Sequence, residues 1–158
     1  MAVFRRSRLN LLTSKVIGAA IEVHRQMGPG LLESIYQRCL CRELAERGLA
    51  FEAQKTIDVM YKGQSLDSGL KLDVFVESLV VVELKTVEEL APIHEAQVLT
   101  YLKLTGAPLG LLLNFNVTVL RNGIRRLLNK QHEIVDDFDP VKKKRLNENG
   151  TDYENGTD

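Results

Sequence analysis

The chain has 158 residues, of which 44% are hydrophobic and 27% are charged, and its formal net charge at pH 7 is zero. This length supports one domain with a substantial core and is short for two domains. The balanced charge argues against a strongly basic nucleic-acid-binding protein, although residues 1–130 carry a modest basic excess of 17 Lys and Arg over 13 Asp and Glu.

The sequence also argues against membrane insertion and secretion. Its apolar runs fall short of the roughly 20 residues that a membrane-spanning helix needs. The basic N-terminus is not followed by the apolar segment of a secretory signal. We therefore expect a cytoplasmic protein that does not enter a membrane.

The chain divides by composition into three parts. Residues 1–8 predict a flexible basic arm. Residues 9–130 have the patterned hydrophobicity of a folded domain. Residues 131–158 are polar and nearly repeat a short Glu-Asn-Gly-Thr-Asp segment, which predicts a disordered tail.

The folded part begins with two predicted helices, at 13–27 and 31–47, separated by Gly28-Pro29-Gly30. Strands are predicted at 51–61, 70–76 and 80–86, followed by a helix at 88–105 and a strongly apolar strand at 109–115. Two further strand-like pieces follow at 116–120 and 123–128. This order predicts an α/β protein whose mixed sheet has helices on its faces.

Three ionisable residues interrupt the apolar strands of the central hairpin, namely Asp73, Glu83 and Lys85. Side chains alternate between the faces of a strand, and directly opposed residues share a face. A three-residue loop at 77–79 places Asp73 opposite Glu83, with Lys85 on the same face. A two-residue loop would instead send Glu83 to the other face.

Carboxylates on adjacent strands can bind a hard cation such as Mg²⁺, which prefers oxygen ligands. Such a cation activates water and stabilises developing charge in phosphodiester hydrolysis, and a neighbouring Lys85 can assist. Each residue also has a simpler interpretation, because an acid-x-Lys pair on a strand is usually a solvated face. Likewise, Glu33 suits the first turn of a helix, and Gln97 and Tyr101 suit an amphipathic edge.

Longer segments of the chain resemble the GxxExxY protein family. Gly30-Leu-Leu-Glu33-Ser-Ile-Tyr36 has the Gly-x-x-Glu-x-x-Tyr pattern itself. The similarity covers about 9–128. Other matching pieces are Ile17-Gly-Ala-Ala-Ile-Glu-Val-His24, Val82-Glu-Leu-Lys85, His94-Glu-Ala-Gln97-Val-Leu-Thr-Tyr101 and Asn114-Phe-Asn116.

That family is similar to compact nucleases of the PD-(D/E)XK superfamily. The resemblance implies a core of helix, three strands, helix and strand, here with an extra N-terminal helix. It also implies a Mg²⁺ or Mn²⁺ cofactor. The chain differs from the family at Ser78, where the family often has Gly. The residues that the resemblance implies as catalytic are Glu33, Asp73, Glu83, Lys85 and Gln97. Those implied as metal ligands are Asp73, Glu83 and Glu33. Those implied to bind nucleic acid or support the site are Tyr36 and Tyr101.

The first functional hypothesis is therefore a metal-dependent nuclease that acts on DNA in preference to RNA. The alternative is a non-catalytic nuclease-fold module that binds nucleic acid or a protein partner, through basic residues such as Arg121, Arg125 and Arg126. A third hypothesis is a structural protein whose polar residues only solvate a sheet. The sequence leaves a homodimer open.

Overall fold

The computed structural model describes residues 2–137. Three helices surround a five-stranded mixed sheet, which confirms the predicted α/β fold class. The helices are α1 (Arg6–Met27), α2 (Glu33–Glu46) and α3 (Pro92–Thr105), with a short 3₁₀ turn at Leu120–Gly123. The strands are β1 (Val3–Arg5), β2 (Phe51–Thr56), β3 (Met60–Tyr61), β4 (Gln64–Ser65), β5 (Lys71–Val76), β6 (Val80–Lys85), β7 (Leu109–Asn114), β8 (Ile124–Leu128) and β9 (Glu133–Val135).

The main sheet has the strand order β2-β5-β6-β7-β8. All neighbouring strands are antiparallel except β6 and β7, which run parallel. A parallel pair needs a crossover connection, and α3 supplies it. Because β6 and β7 run in the same direction, both end at the edge of the sheet where β5 begins.

The apolar residues of the sheet divide between two cores, and along β6 they alternate as in a regular strand. Val74, Val82 and Leu111 pack in the core formed with α1 and α2. Phe75, Val81 and Leu112 pack in the core formed with α3. The odd-numbered residues of β6 therefore face α3, whereas the alternation of β5 is broken between Leu72, which packs in the α3 core, and Val74, which packs in the other core.

Close packing of α3 on the sheet depends on Gly110 in β7. A Cβ atom at this position would lie only 2.5 Å from Cγ1 of Val98 on α3. A larger residue would force the helix away from the strand, because protein interiors are packed at nearly crystalline density. Gly110 thus fixes the distance between the sheet and α3.

The N-terminal prediction is wrong for most of its length. Residues predicted as a flexible arm instead form β1 and the first turn of α1, which begins at Arg6. β1 pairs in parallel with β9, so Phe4 lies beside Ile134. The ordered chain accordingly extends past residue 130 to at least residue 137, and the rest of the predicted tail lies outside the described residues.

Three predicted elements have different bounds. The predicted strand 51–61 ends at Thr56, and a small separate hairpin of β3 and β4 follows. The segment 116–120 is not a strand. The helix expected from residue 88 begins at Pro92, because a proline disfavours helical conformation in the residue before it and suits the first helical position.

Within residues 2–137, none of the helices is both long enough and apolar enough to cross a membrane.

Candidate active site

The turn between β5 and β6 decides whether the charged residues of the hairpin can meet. Glu77 and Ser78 have positive φ angles of 52° and 53°, and the amide of Leu79 donates to the carbonyl of Val76 over 2.9 Å. Val76 pairs with Val80, which leaves three residues in the loop. This confirms the three-residue loop.

The paired register ends at Val74 and Val82, and its continuation brings Asp73 beside Glu83. The side chains confirm it, because each carboxylate accepts a backbone amide from the other strand. Asp73 Oδ2 accepts the Leu84 amide over 2.9 Å, and Glu83 Oε1 accepts the Asp73 amide over 3.3 Å. The sheet backbone thus holds one oxygen of each carboxylate.

Glu83 is the most buried acid of the site, with only 3% of its surface exposed. Burial, and next the charge of Asp73, raise its pKa to about 8, while Lys85 acts in the opposite direction. The two carboxyl groups are also close enough for a hydrogen bond between them. Two desolvated carboxylates held this close favour sharing a proton or binding a cation.

Lys85 lies at the end of β6, two residues after Glu83 and on the same face. Its Nζ atom is 3.8 Å from Glu83 Oε2, and its side chain is 17% exposed. The ammonium group therefore borders the carboxylate pair and still reaches solvent. It is placed to interact with an anion that approaches the pair.

Glu33 joins this group from another element, as the first residue of α2. Burial raises its pKa, and the charge of Asp73 raises it further, whereas Lys85 lowers it. The charges of Asp73 and Lys85 therefore act on Glu33 from the hairpin. Among residues 2–137, however, Glu33, Asp73 and Glu83 do not form the three-carboxylate ligand group that was predicted.

The loop before α2 explains the Gly-x-x-Glu-x-x-Tyr spacing. Gly30 has a φ angle of 97°, which an L side chain rarely adopts. The Tyr36 hydroxyl donates to the Gly28 carbonyl and accepts the Leu31 amide over 3.2 Å. The glycine bends the chain and the tyrosine anchors the bend, so that the helix begins at Glu33.

Tyr36 itself is fully buried and stacks on Phe115, with 4.5 Å between ring centroids. A side chain in this position cannot contact nucleic acid without opening the core. Of the two roles predicted for it, only support of the site is compatible with its position.

Gln97 and Tyr101 lie one turn apart on α3 and contact each other. The Gln97 Nε2 atom donates to the Tyr101 hydroxyl over 2.9 Å. Burial raises the pKa of Tyr101, with further increases from the charges of Glu83 and Asp73, so the hydroxyl lies near the acidic pair. Tyr101 is only 5% exposed, which leaves little ring surface for stacking on a base.

Comparison with known protein families agrees with this arrangement. A family model described as the PD-(D/E)XK nuclease superfamily matches residues 10–127, which is more than half of the chain. The chain belongs to the PD-(D/E)XK nuclease superfamily. No curated protein and no solved structure matched the chain in the corresponding comparisons.

PD-(D/E)XK nucleases usually use Mg²⁺ or Mn²⁺, and the donor atoms here fit such an ion. One oxygen of each carboxylate accepts a backbone amide, and the other oxygen has only a long contact. Asp73 Oδ1 lies 3.5 Å from Gln54 Nε2, and Glu83 Oε2 lies 3.8 Å from Lys85 Nζ. Mg²⁺ is commonly bound through one or two carboxylates and several waters. Across residues 2–137, no three Asp, Glu, His or Cys side chains form a complete ligand cluster, so water would supply the remaining ligands.

A buried asparagine fixes the end of the strand that carries Lys85 in this PD-(D/E)XK chain. Asn114 Oδ1 accepts the amide of Val87 over 3.1 Å, and Nδ2 donates to the carbonyl of the same residue over 2.9 Å. The Phe115 amide also donates to the Lys85 carbonyl. Sequence reasoning noted the Asn114-Phe-Asn116 motif without finding this role.

Two further polar residues of the site were missed from the sequence. Gln54 Nε2 approaches Asp73 Oδ1 and donates to Gln37 Oε1. Gln37 could have been suspected, because it lies one helical turn after Glu33 and therefore on the same helix face. Gln54 gave no such signal, since it lies in a strand of weak pattern.

Two histidines of the matching motifs, His24 and His94, make hydrogen bonds to the backbone. His94 Nδ1 accepts the Ala91 amide over 2.9 Å at the start of α3. The His24 Nε2 atom lies 2.7 Å from the Val117 carbonyl. Both rings make hydrogen bonds to the backbone that position loops and helix ends.

Proposed function

We propose that this protein is a Mg²⁺- or Mn²⁺-dependent nuclease that hydrolyses phosphodiester bonds of DNA. The observation that carries the proposal is that the carboxylates of Asp73 and the buried Glu83 each accept a backbone amide from the other strand, beside the Lys85 ammonium group. Holding like charges together in a desolvated place is costly, and binding a divalent cation offsets that cost.

In this mechanism Asp73 and Glu83 would hold the cation, and Glu33 would add negative charge from α2. A bound Mg²⁺ or Mn²⁺ supplies a Lewis acid that polarises a phosphoryl oxygen and acidifies a water molecule. Lys85 positions the attacking water and stabilises the negative charge that develops on the phosphoryl group. Gln97 and Tyr101 support the acidic pair from α3.

Within the superfamily, we propose that the chain belongs to the GxxExxY group. The support is the local geometry at the start of α2, where Gly30 has a positive φ angle and Tyr36 anchors the loop that ends at Glu33. Each residue of the motif thereby has a physical task that places the acid at the site.

The test is a cleavage assay with the Lys85→Ala variant. Purified protein is incubated with single-stranded, duplex and supercoiled DNA and with RNA, in Mg²⁺, Mn²⁺ or EDTA. We expect cation-dependent cleavage that falls by about 10²- to 10⁴-fold in the variant, the usual contribution of a group that assists proton transfer. Cleavage of RNA alone would overturn the proposed substrate.

The matched control is Lys103→Ala, which removes an exposed lysine from the last turn of α3 and should leave cleavage unchanged. Calorimetric titration with Mn²⁺ accompanies the assay, because Asp73→Asn should weaken cation binding even if the right polymer has not been tried. Cleavage that continues in EDTA and is indifferent to Lys85→Ala would refute the proposal. Salt-dependent nucleic-acid binding without cleavage or Mn²⁺ binding would favour the non-catalytic module instead.

A further inference from the structure

One residue of the main sheet has an unfavourable backbone conformation beside the candidate site. Gln54 lies within β2 and has a φ angle of 51°. Its neighbours Ala53 and Lys55 pair normally with Val74 and Leu72, so the register places Gln54 opposite Asp73. A left-handed conformation in a strand interior is disfavoured for a residue with a side chain.

From this conformation the side chain of Gln54 reaches two neighbouring elements. Its Nε2 atom donates to Gln37 Oε1 on α2 and approaches Asp73 Oδ1 at 3.5 Å. Gln37 lies one turn after Glu33 on the same face of α2. The Gln54 amide therefore links the helix that carries Glu33 to the strand that carries Asp73.

The contacts of Asp73 show what this link does. Its Oδ2 atom accepts the Leu84 amide. Rotation of the carboxylate about this hydrogen bond is therefore limited by the contacts of the other oxygen, Oδ1. Gln54 is the neighbour of Oδ1, and Gln37 fixes the direction of the Gln54 amide. Ligands of a metal are commonly oriented by such outer contacts, whose loss costs about 10- to 100-fold in affinity.

We propose that Gln54 is a positioning residue for the cation site. Gln54 retains its left-handed backbone conformation because this conformation places its side-chain amide against Oδ1 of Asp73. The inference rests on the proposed function, since it assumes that Asp73 binds a divalent cation. Backbone strain of this kind is found at functional sites, where the surrounding structure maintains it.

The test separates the backbone from the side chain by comparing Gln54→Gly with Gln54→Ala. Glycine adopts positive φ freely, so Gln54→Gly removes the strain together with the amide. We expect its urea midpoint of unfolding to rise above that of the parent while its affinity for Mn²⁺, measured by calorimetry, falls by about tenfold. Gln54→Ala should lose the same affinity without gaining stability, and Gln37→Ala should lose affinity by a smaller factor.

Lys62→Gly is the matched control, because Lys62 also has a positive φ angle, of 48°, in the turn between β3 and β4. It should gain stability and bind Mn²⁺ like the parent. Gln54→Asn, which keeps a shorter amide and tolerates positive φ, should recover part of the affinity.

The outcomes distinguish this inference from the proposed function. A parent protein that does not bind Mn²⁺ overturns both. A parent that binds Mn²⁺, together with a Gln54→Gly variant that binds it equally well, overturns only the role of Gln54. A Gln54→Gly variant that is less stable than the parent but binds Mn²⁺ normally has the same consequence, because the residue would then serve the fold alone.

Discussion

At the scale of single residues, Glu83 shows how position changes the chemistry of a side chain. The same carboxyl group in water would be ionised at neutral pH, but here burial and the neighbouring Asp73 raise its pKa to about 8. Without a cation the group keeps its proton over much of the neutral range. Cation binding therefore competes with a proton, and Mn²⁺ affinity should increase as pH rises towards 8.

The raised pKa of Glu83 also predicts how stability depends on pH. Below about pH 4.5 the carboxyl group is protonated in both states and has no effect. Between pH 4.5 and about 8 the folded state binds the proton more tightly than the unfolded state, so the free energy of unfolding decreases with pH. We expect Glu83→Gln to be more stable than the parent at pH 8.5, by on the order of a few kcal/mol at most, and to lose this advantage at pH 4.5.

Urea unfolding in EDTA at the two pH values measures this difference. Glu88→Gln, in the exposed loop after β6, controls for the removal of a surface charge. A Glu83→Gln difference that does not change between pH 4.5 and 8.5 would show that the carboxyl group has an ordinary pKa.

At the scale of elements, the β5–β6 hairpin sets the geometry of the site through its turn. Both Glu77 and Ser78 have positive φ angles, which glycine and asparagine adopt more readily than glutamate or serine. Glycine at position 78 would adopt this φ angle without strain. The hairpin keeps its register at a cost in local strain.

Ser78→Gly should therefore stabilise the protein. Relief of the left-handed conformation, partly offset by the greater freedom of glycine in the unfolded chain, predicts a gain of about 0.5–1 kcal/mol in the free energy of unfolding. Chemical denaturation measures the gain, and Ser78→Ala, which keeps the unfavourable angle, should show none. Equal stabilities of the glycine and alanine variants would contradict this account of the turn.

At the scale of the whole molecule, a two-stranded parallel sheet of β1 and β9 joins the N-terminal segment to the segment after β8. Both strands are far from the candidate site in sequence. Phe4 packs against the core beneath α1 and α2 and meets the His132 ring edge-on, with 5.3 Å between centroids. Arg6 and Asp136 form an ion pair of 2.7 Å between the same segments. The first residues therefore belong to the folded domain.

Truncation of the Phe4 side chain tests whether the β1–β9 sheet stabilises the domain. Phe4→Ala should lower the free energy of unfolding by roughly 1–3 kcal/mol, because Phe4 is partly buried. Arg6→Ala should cost no more than about 1 kcal/mol, because its ion pair is exposed to solvent. Thermal unfolding measures both, and unchanged Mn²⁺ affinity in Phe4→Ala would show that the effect does not pass through the site. A Phe4→Ala variant as stable as the parent would mean that β1 contributes nothing to folding.

The sequence by itself determined the order of the main elements and singled out the residues of the candidate acidic site, since periodicity and family motifs are local patterns. It reduced the hairpin to two registers, which hydrophobic alternation could not separate because both strands are apolar on both faces. The tertiary structure decided between them through the positive φ angles of Glu77 and Ser78. It alone showed the Gln37–Gln54 contact beside Asp73, the burial of Tyr36 against Phe115 and the pairing of β1 with β9. Each of these joins residues distant along the chain, and such contacts leave no periodic signal in the sequence.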